Sequence, residues 1–206
     1  MAVGTSFTHL VPMQEMAPGS VGVIRNQVIS GLVAQASREL SLPETSLVVR
    51  DVRPVLDLTM YSGGTTAATI EDWIYTATSG TGFISVTGAQ TMADQRYVAL
   101  FGVRDLRLGI GIHATSTLLG SSLTVYTSYL SLIKINVGGA DKAIWDTKCV
   151  QPYKNNLVAL TPSAVVIPQN SSFNISYYKT VTTAGLVMLI QLIGVVVEPR
   201  GKIISP

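Results

Sequence analysis

The chain has 206 residues, of which 47% are hydrophobic and only 13% are charged, and its formal net charge is +2. Soluble globular domains usually contain about 25% charged residues, so this chain is expected to bury much of its surface against partners or lipid. The basic residues are scattered singly, which argues against a sequence-specific nucleic-acid groove. Cys149 is the only cysteine, so an intrachain disulfide and a Cys-rich zinc site are excluded.

The first 19 residues mix Thr, Met, Pro and Gly without any period, which predicts an extended arm that ties onto neighbours or stays disordered. No basic and apolar signal-peptide pattern is evident in residues 1–12. We therefore expect synthesis in a cytoplasm. The most apolar run, 185–197, is shorter than the ~20 residues that a membrane-spanning helix needs, and we interpret it as a buried strand or strand pair.

Apolar residues recur every four positions between 23 and 40, which predicts one amphipathic helix. Ser20 is placed to cap its start, and Pro43 lies just beyond its end. Two interpretations of the apolar stripe stay open, a seal over the domain's own core or a contact with a partner helix or membrane. The stripe residues that we name as interface candidates are Ile24, Val28 and Leu32.

After Pro43 the sequence changes to short β-rich runs separated by turn residues. The predicted strands are 46–50, 56–61, 73–76, 83–87, 96–103, 106–112, 123–137, 157–160, 164–167, 173–178 and 186–197. The turn sequence at 79–82 predicts a hairpin between the strands at 73–76 and 83–87. Roughly eight to ten antiparallel strands close most naturally as two packed sheets, so the predicted fold class is an all-β sandwich.

Several stretches of this sequence resemble jelly-roll coat proteins of tailless icosahedral phages, including those with an internal membrane. The stretches are IKINVGG (133–139), LTPSAVVIPQNSSFNISYYKT (160–180) and LVMLIQLIGVVVEPRG (186–201), with LVVRDVRPVLDL (47–58) and QRYVALFGVRDLRL (95–108) earlier in the chain. The resemblance covers about residues 45–201 and is one of pattern, without a diagnostic motif. It implies a single jelly-roll β-sandwich over 43–206, preceded by an arm and helix over 1–42.

The residues that catalysis requires are scarce. His9 and His113 are the only histidines, and neither a G-x-S-x-G motif nor a metal-ligand spacing such as H-E-x-x-H occurs. Glu71 and Asp72 are adjacent, so in a strand they point to opposite faces and cannot act as a carboxylate pair. We therefore predict a protein that is not an enzyme and that needs no cofactor or metal.

Aromatic residues provide the other interface candidates. Trp145, Tyr177 and Tyr178 have the most exposed sequence contexts, and they are either interface anchors or ordinary strand residues. Loops vary freely at the ends of a sandwich, so 62–70 and 138–156 are predicted to carry contacts together with the arm.

Two hypotheses on function follow. In the first, the chain is a coat subunit of the virion that assembles with copies of itself and with sibling coat proteins, and a contact of its N-terminal region with an internal membrane is left open. In the second, it is a spike, fibre or other β-sandwich module that binds a receptor or carbohydrate. The second hypothesis predicts a localised site of exposed aromatic and carboxylate side chains, which the sequence does not reveal.

Overall fold

The structure is a computed structural model. It describes residues 7–8, 10–57, 74–76, 84–85, 89–105, 132–147, 150, 158–178 and 189–202. Several predictions fall outside these residues: the strand at 106–112, the first part of the strand at 123–137, the loop at 62–70, the pair Glu71 and Asp72, Cys149 and both histidines.

The described residues form one α-helix and a large set of strands. The helix, α1, spans Ser20–Leu40. The strands are β1 (Phe7–Thr8), β2 (Val11–Pro12), β3 (Leu47–Val52), β4 (Val55–Asp57), β5 (Ile74–Thr76), β6 (Ile84–Ser85), β7 (Gln90–Thr91), β8 (Tyr97–Asp105), β9 (Leu132–Val137), β10 (Ala140–Asp146), β11 (Val158–Ile167), β12 (Ser172–Tyr178) and β13 (Leu189–Pro199). Single-turn 3-10 helices span Met13–Glu15, Glu44–Ser46 and Arg200–Lys202.

The strands form two sheets, which confirms the predicted all-β sandwich. The first sheet has the order β1-β10-β9-β12-β6, with β7 also on β12. The second has the order β2-β11-β8-β13-β4-β5, with β3 also on β13. Pairing is antiparallel except for β1 with β10 and β4 with β5.

The antiparallel pairs are nested along the chain. The innermost pair is β9 with β10, the next is β8 with β11, then β6 with β12, and the outermost is β3 and β4 with β13. The chain therefore runs out and back on itself, and alternate pairs lie in opposite sheets.

Apolar and polar residues alternate along the strands, and the apolar ones form the core between the two sheets. In β9, for example, Ile133, Ile135 and Val137 are buried in this core, whereas Lys134 and Asn136 between them are not. Such an alternation is expected for a sheet with one buried face. Burial of a side chain of this size stabilises the fold by about 1.5 to 3 kcal/mol, so this layer is the main source of stability.

The second sheet is buried on both faces. Its outer face carries a second apolar cluster, in which Tyr97, Ala99 and Val195 from the strands contact Leu32 and Ala36 of α1. The order of layers is therefore first sheet, second sheet and helix. The helix begins at Ser20, after Gly19 in the left-handed conformation with φ 85°, so Ser20 is its first residue and not its cap.

The start of the chain crosses from one sheet to the other. β1 lies beside β10 at the edge of the first sheet, and β2 lies beside β11 at the edge of the second. Leu10 between them is buried in the inter-sheet core with 1% of its surface exposed. This part of the predicted arm therefore closes one side of the chain's own sandwich.

Three strand predictions are corrected. The hairpin between 73–76 and 83–87 is wrong, because β5 pairs with β4 in the second sheet and β6 pairs with β12 in the first. The predicted strands at 157–160 and 164–167 are one strand, β11, whose register shifts between Leu160 and Val165. That irregularity accommodates Pro162, which lacks the backbone N–H that a regular ladder requires.

The third correction concerns 138–156, which was predicted to be a loop. β10 spans Ala140–Asp146 and pairs with β9. Its register shifts between Asp141 and Ala143, and this shift interrupts the alternation of polar and apolar residues that identifies a strand.

Candidate interaction surfaces

The apolar stripe of α1 faces the second sheet. Val28, Leu32 and Ala36 are buried there, and Ile24 is partly buried against the same cluster. A stripe in this position covers the domain's own core. Of the two interpretations of the stripe, the structure therefore favours the seal over the domain's own core, and Ile24, Val28 and Leu32 contact the second sheet in this chain.

A buried tyrosine fixes the C-terminal half of the helix. The side chain of Tyr97 is fully buried, and its hydroxyl donates a hydrogen bond of 2.9 Å to Oε2 of Glu39. Burial, together with the hydrogen bond to Glu39 and the negative charges of Glu39 and Asp94, raises the pKa of Tyr97 above its ordinary value of 10.0. The hydroxyl therefore remains a hydrogen-bond donor well into the alkaline range.

An ion pair connects the N-terminal half of α1 to the second sheet. Nη2 of Arg25 lies 3.0 Å from Oδ1 of Asp51 on β3, and both side chains are nearly half exposed. An exposed pair of this kind contributes only about 0.2 to 1 kcal/mol, so its main effect is on the orientation of the helix.

The opposite side of the helix has an exposed surface with a single charged residue. We call it the outer helix face, and it consists of Val23, Asn26, Gln27, Ser30, Gly31, Ala34 and Arg38. Exposed helix positions usually carry long charged side chains, whereas 56% of the surface of Val23 is exposed here. A Cβ atom at Gly31 would meet no atom within 4 Å, so nothing in the chain requires glycine at this position.

The expectation that Trp145 is exposed is wrong. Trp145 lies in β10 and is fully buried in the inter-sheet core. Its Nε1 and the Oγ1 of Thr147 are buried without a hydrogen-bond partner. Tyr177 and Tyr178 lie in β12, where they pair with Ile133 and Leu132, and the surroundings of their side chains are outside the described part of the chain.

A buried carboxylate joins three strands of the second sheet. Glu198 of β13 is 1% exposed and bonds to the guanidinium groups of Arg50 in β3 and Arg96 just before β8. The distance from Arg96 Nε to Glu198 Oε2 is 3.1 Å. A buried carboxylate requires such partners, because an unpaired charge is costly in the protein interior.

The outer face of the first sheet has a different character from the helix-covered face. It carries a groove of about 420 Å³ across β9, β10 and β12. The polar residues that line it are Lys134, Asn136, Asp141, Ser172, Asn174 and Ser176. Ala89, Gly139 and Phe173 complete the lining.

Register explains why these polar side chains meet. Asn136 pairs with Asn174 on one side and with Asp141 on the other, so the three form a row across three strands. Nδ2 of Asn136 donates a hydrogen bond of 2.9 Å to Oδ1 of Asp141, and Nζ of Lys134 lies 3.7 Å from Oδ2 of the same carboxylate. The described polar residues of the groove are therefore hydrogen bonded, and their charges cancel.

Sequence reasoning missed this groove. Its signal was present in the polar residues that alternate with apolar ones in β9 and β12, which place Lys134, Asn136, Asn174 and Ser176 on one face. The order of the strands was the missing information, because it brings these residues together with Asp141.

The described residues contain no group of three or more His, Cys, Asp or Glu residues that could hold a metal ion. In the same part of the chain, α1 is not apolar enough to cross a membrane.

Comparison with known proteins gives no family for this chain: no family model matches it, and no curated protein matches it.

Proposed function

We propose that this chain is a structural coat subunit that packs against copies of itself and against sibling coat proteins to form a virion shell. The observation that carries the proposal is the nested antiparallel pairing of the sandwich strands, from β9 with β10 in the centre to β3 and β4 with β13 outside. A jelly roll is a double sheet of eight strands with two Greek keys, and nested pairs divided between two sheets favour that topology.

Jelly rolls serve as viral capsid domains, lectins and cupins, so the topology by itself does not decide between these functions. A cupin-like oxygenase needs two or three clustered histidines with a carboxylate. The chain has only His9 and His113. Coat and binding proteins therefore remain as the better-supported classes.

The distribution of charge favours the coat subunit. Only 13% of the residues are charged, and the outer helix face carries a single one of them, Arg38. Cores of protein interfaces are depleted in Lys, Glu and Asp, so the absence of these three residue types from the face favours a contact there. Gly31 and Ala34 leave room for the close approach of another chain.

Symmetry turns contacts of this kind into a shell. A contact that joins two different surfaces of identical subunits forms rings when the rotation closes. Each interface then contributes little free energy of assembly by itself, but the same interface is repeated at every subunit.

The test is the size of the purified chain, measured by size-exclusion chromatography with light scattering over a 100-fold range of concentration and followed by negative-stain imaging. We expect rings, pentamers, hexamers or shells. A monomer at every concentration would exclude assembly by this chain alone, and addition of a sibling coat protein would then have to produce the assembly.

A further inference from the structure

We propose that the groove on the outer face of the first sheet binds a neutral, polyhydroxylated ligand, in chemical terms a carbohydrate. This inference goes beyond the proposed function, because self-assembly does not need a small-ligand site. The volume of about 420 Å³ falls within the range of about 300 to 1,000 Å³ of small-molecule sites.

The charges of the groove favour a neutral ligand. Among the described residues, its lining contains one cation, Lys134, and one anion, Asp141, whose charged atoms lie 3.7 Å apart. An anionic ligand would be repelled by Asp141, and a cationic ligand would be repelled by Lys134. Each charged ligand would also have to compete with the existing ion pair.

The hydrogen-bonding groups favour hydroxyls. The amide of Asn136 and the hydroxyls of Ser172 and Ser176 contain both donors and acceptors. A sugar hydroxyl also donates and accepts, so it can match any of these groups. An apolar ligand would instead bury these polar groups without offering them a hydrogen bond, which is unfavourable.

The groove is held in place by the sheet. Its polar side chains stand on β9, β10 and β12, whose backbone groups are used in the ladders between these strands. A ligand is therefore recognised by side chains and not by addition of a strand. The hydrogen bond from Asn136 to Asp141 orients both groups before a ligand arrives, which reduces the entropic cost of binding.

The test is titration of the whole chain with methyl α-D-glucopyranoside, methyl β-D-galactopyranoside and N-acetylglucosamine, monitored by saturation-transfer NMR. Glucose 6-phosphate serves as the anionic counterpart. We expect at least one neutral sugar to bind in a saturable manner and more tightly than glucose 6-phosphate.

Asp141→Asn tests the charge argument, because it leaves Lys134 without its partner. We expect this variant to bind glucose 6-phosphate about fivefold more tightly, because Lys134 loses its carboxylate partner. Asp51→Asn makes the same change of charge on β3, outside the groove, and should alter neither affinity. Asn136→Ala keeps the net charge and should weaken binding of the neutral sugar.

Three results would overturn the proposal. The first is the absence of saturable binding by any of the neutral sugars. The second is equal behaviour of Asp141→Asn and Asp51→Asn, and the third is unchanged sugar binding by Asn136→Ala. Melting curves of all variants identify loss of folding, and because Asp141→Asn changes only one atom of the side chain, it retains the shape of the groove.

Discussion

The glycines of the helix provide a quantitative test of its position. Gly22 and Gly31 are exposed in α1, and a Cβ atom at either would meet nothing within 4 Å. Alanine is favoured over glycine in a helix by about 0.8 to 1.0 kcal/mol. The two sites are about 13 Å apart along the helix, so their effects should add to about 2 kcal/mol.

For a domain of this size, a gain of about 1 kcal/mol in the free energy of unfolding raises the melting temperature by about 2 to 4 °C. The double variant with alanine at Gly22 and Gly31 should therefore melt about 4 to 8 °C higher than the wild-type chain. The measurement is thermal unfolding followed by circular dichroism under dilute conditions. Gly194→Ala is the control, because a Cβ atom there would lie 2.6 Å from the carbonyl oxygen of Ala99. The free energy of unfolding of that variant should fall by about 1 to 3 kcal/mol. An unchanged or lower melting temperature of the double variant would refute the position that we assign to the helix.

The remaining predictions concern the interior and the charged groups. Leu32→Ala should lower the free energy of unfolding by about 2 to 5 kcal/mol, because Leu32 is 1% exposed between the helix and the second sheet. Urea titrations measure this loss, and a loss below about 0.5 kcal/mol would contradict the prediction. Since folding raises the pKa of Tyr97, the unfolded chain loses this proton first. The contribution of Tyr97 to the free energy of unfolding should therefore be constant below pH of about 10 and fall above it by about 1.4 kcal/mol per pH unit. Tyr97→Phe should remove this contribution. Glu198→Gln should lower the free energy of unfolding by about 1 to 3 kcal/mol. Asp51→Asn, in an exposed pair, should lower it by no more than about 1 kcal/mol, and equal losses for the two variants would exclude a special role of the buried carboxylate.

Local periodicity was sufficient to predict much of the fold. The spacing of Val28, Leu32 and Ala36 indicated the helix, and the apolar run in β8 and the alternation in β12 indicated strands. These signals depend on nearby residues, whose burial repeats with the period of the element.

The predictions from the sequence that failed depend on contacts between distant parts of the chain. β10 was missed because its register shift breaks the alternation, and the burial of Trp145 depends on the position of β10 between β1 and β9. The assignment of β5 and β6 to different sheets depends on pairing with β4 and β12, which no local turn signal reveals.

The groove could not be predicted for the same reason. Lys134 and Asp141 are close in sequence, but Asn174 joins them only because β12 lies beside β9. The apolar stripe of the helix could be identified from the sequence, but only the position of the second sheet shows that the chain itself covers Leu32.

Sedimentation velocity of the wild-type chain beside the variants Ser30→Glu and Thr91→Glu tests the central claim most directly. Ser30 lies on the outer helix face, and Thr91 is an exposed residue of β7 in the first sheet, so both variants add one negative charge at exposed positions. We predict that the wild-type chain and Thr91→Glu sediment as assemblies and that Ser30→Glu sediments as a smaller species, because charge is unfavourable in the core of an interface. A wild-type chain that sediments as a monomer at every concentration, or equal sedimentation of the two variants, would contradict assembly through the outer helix face.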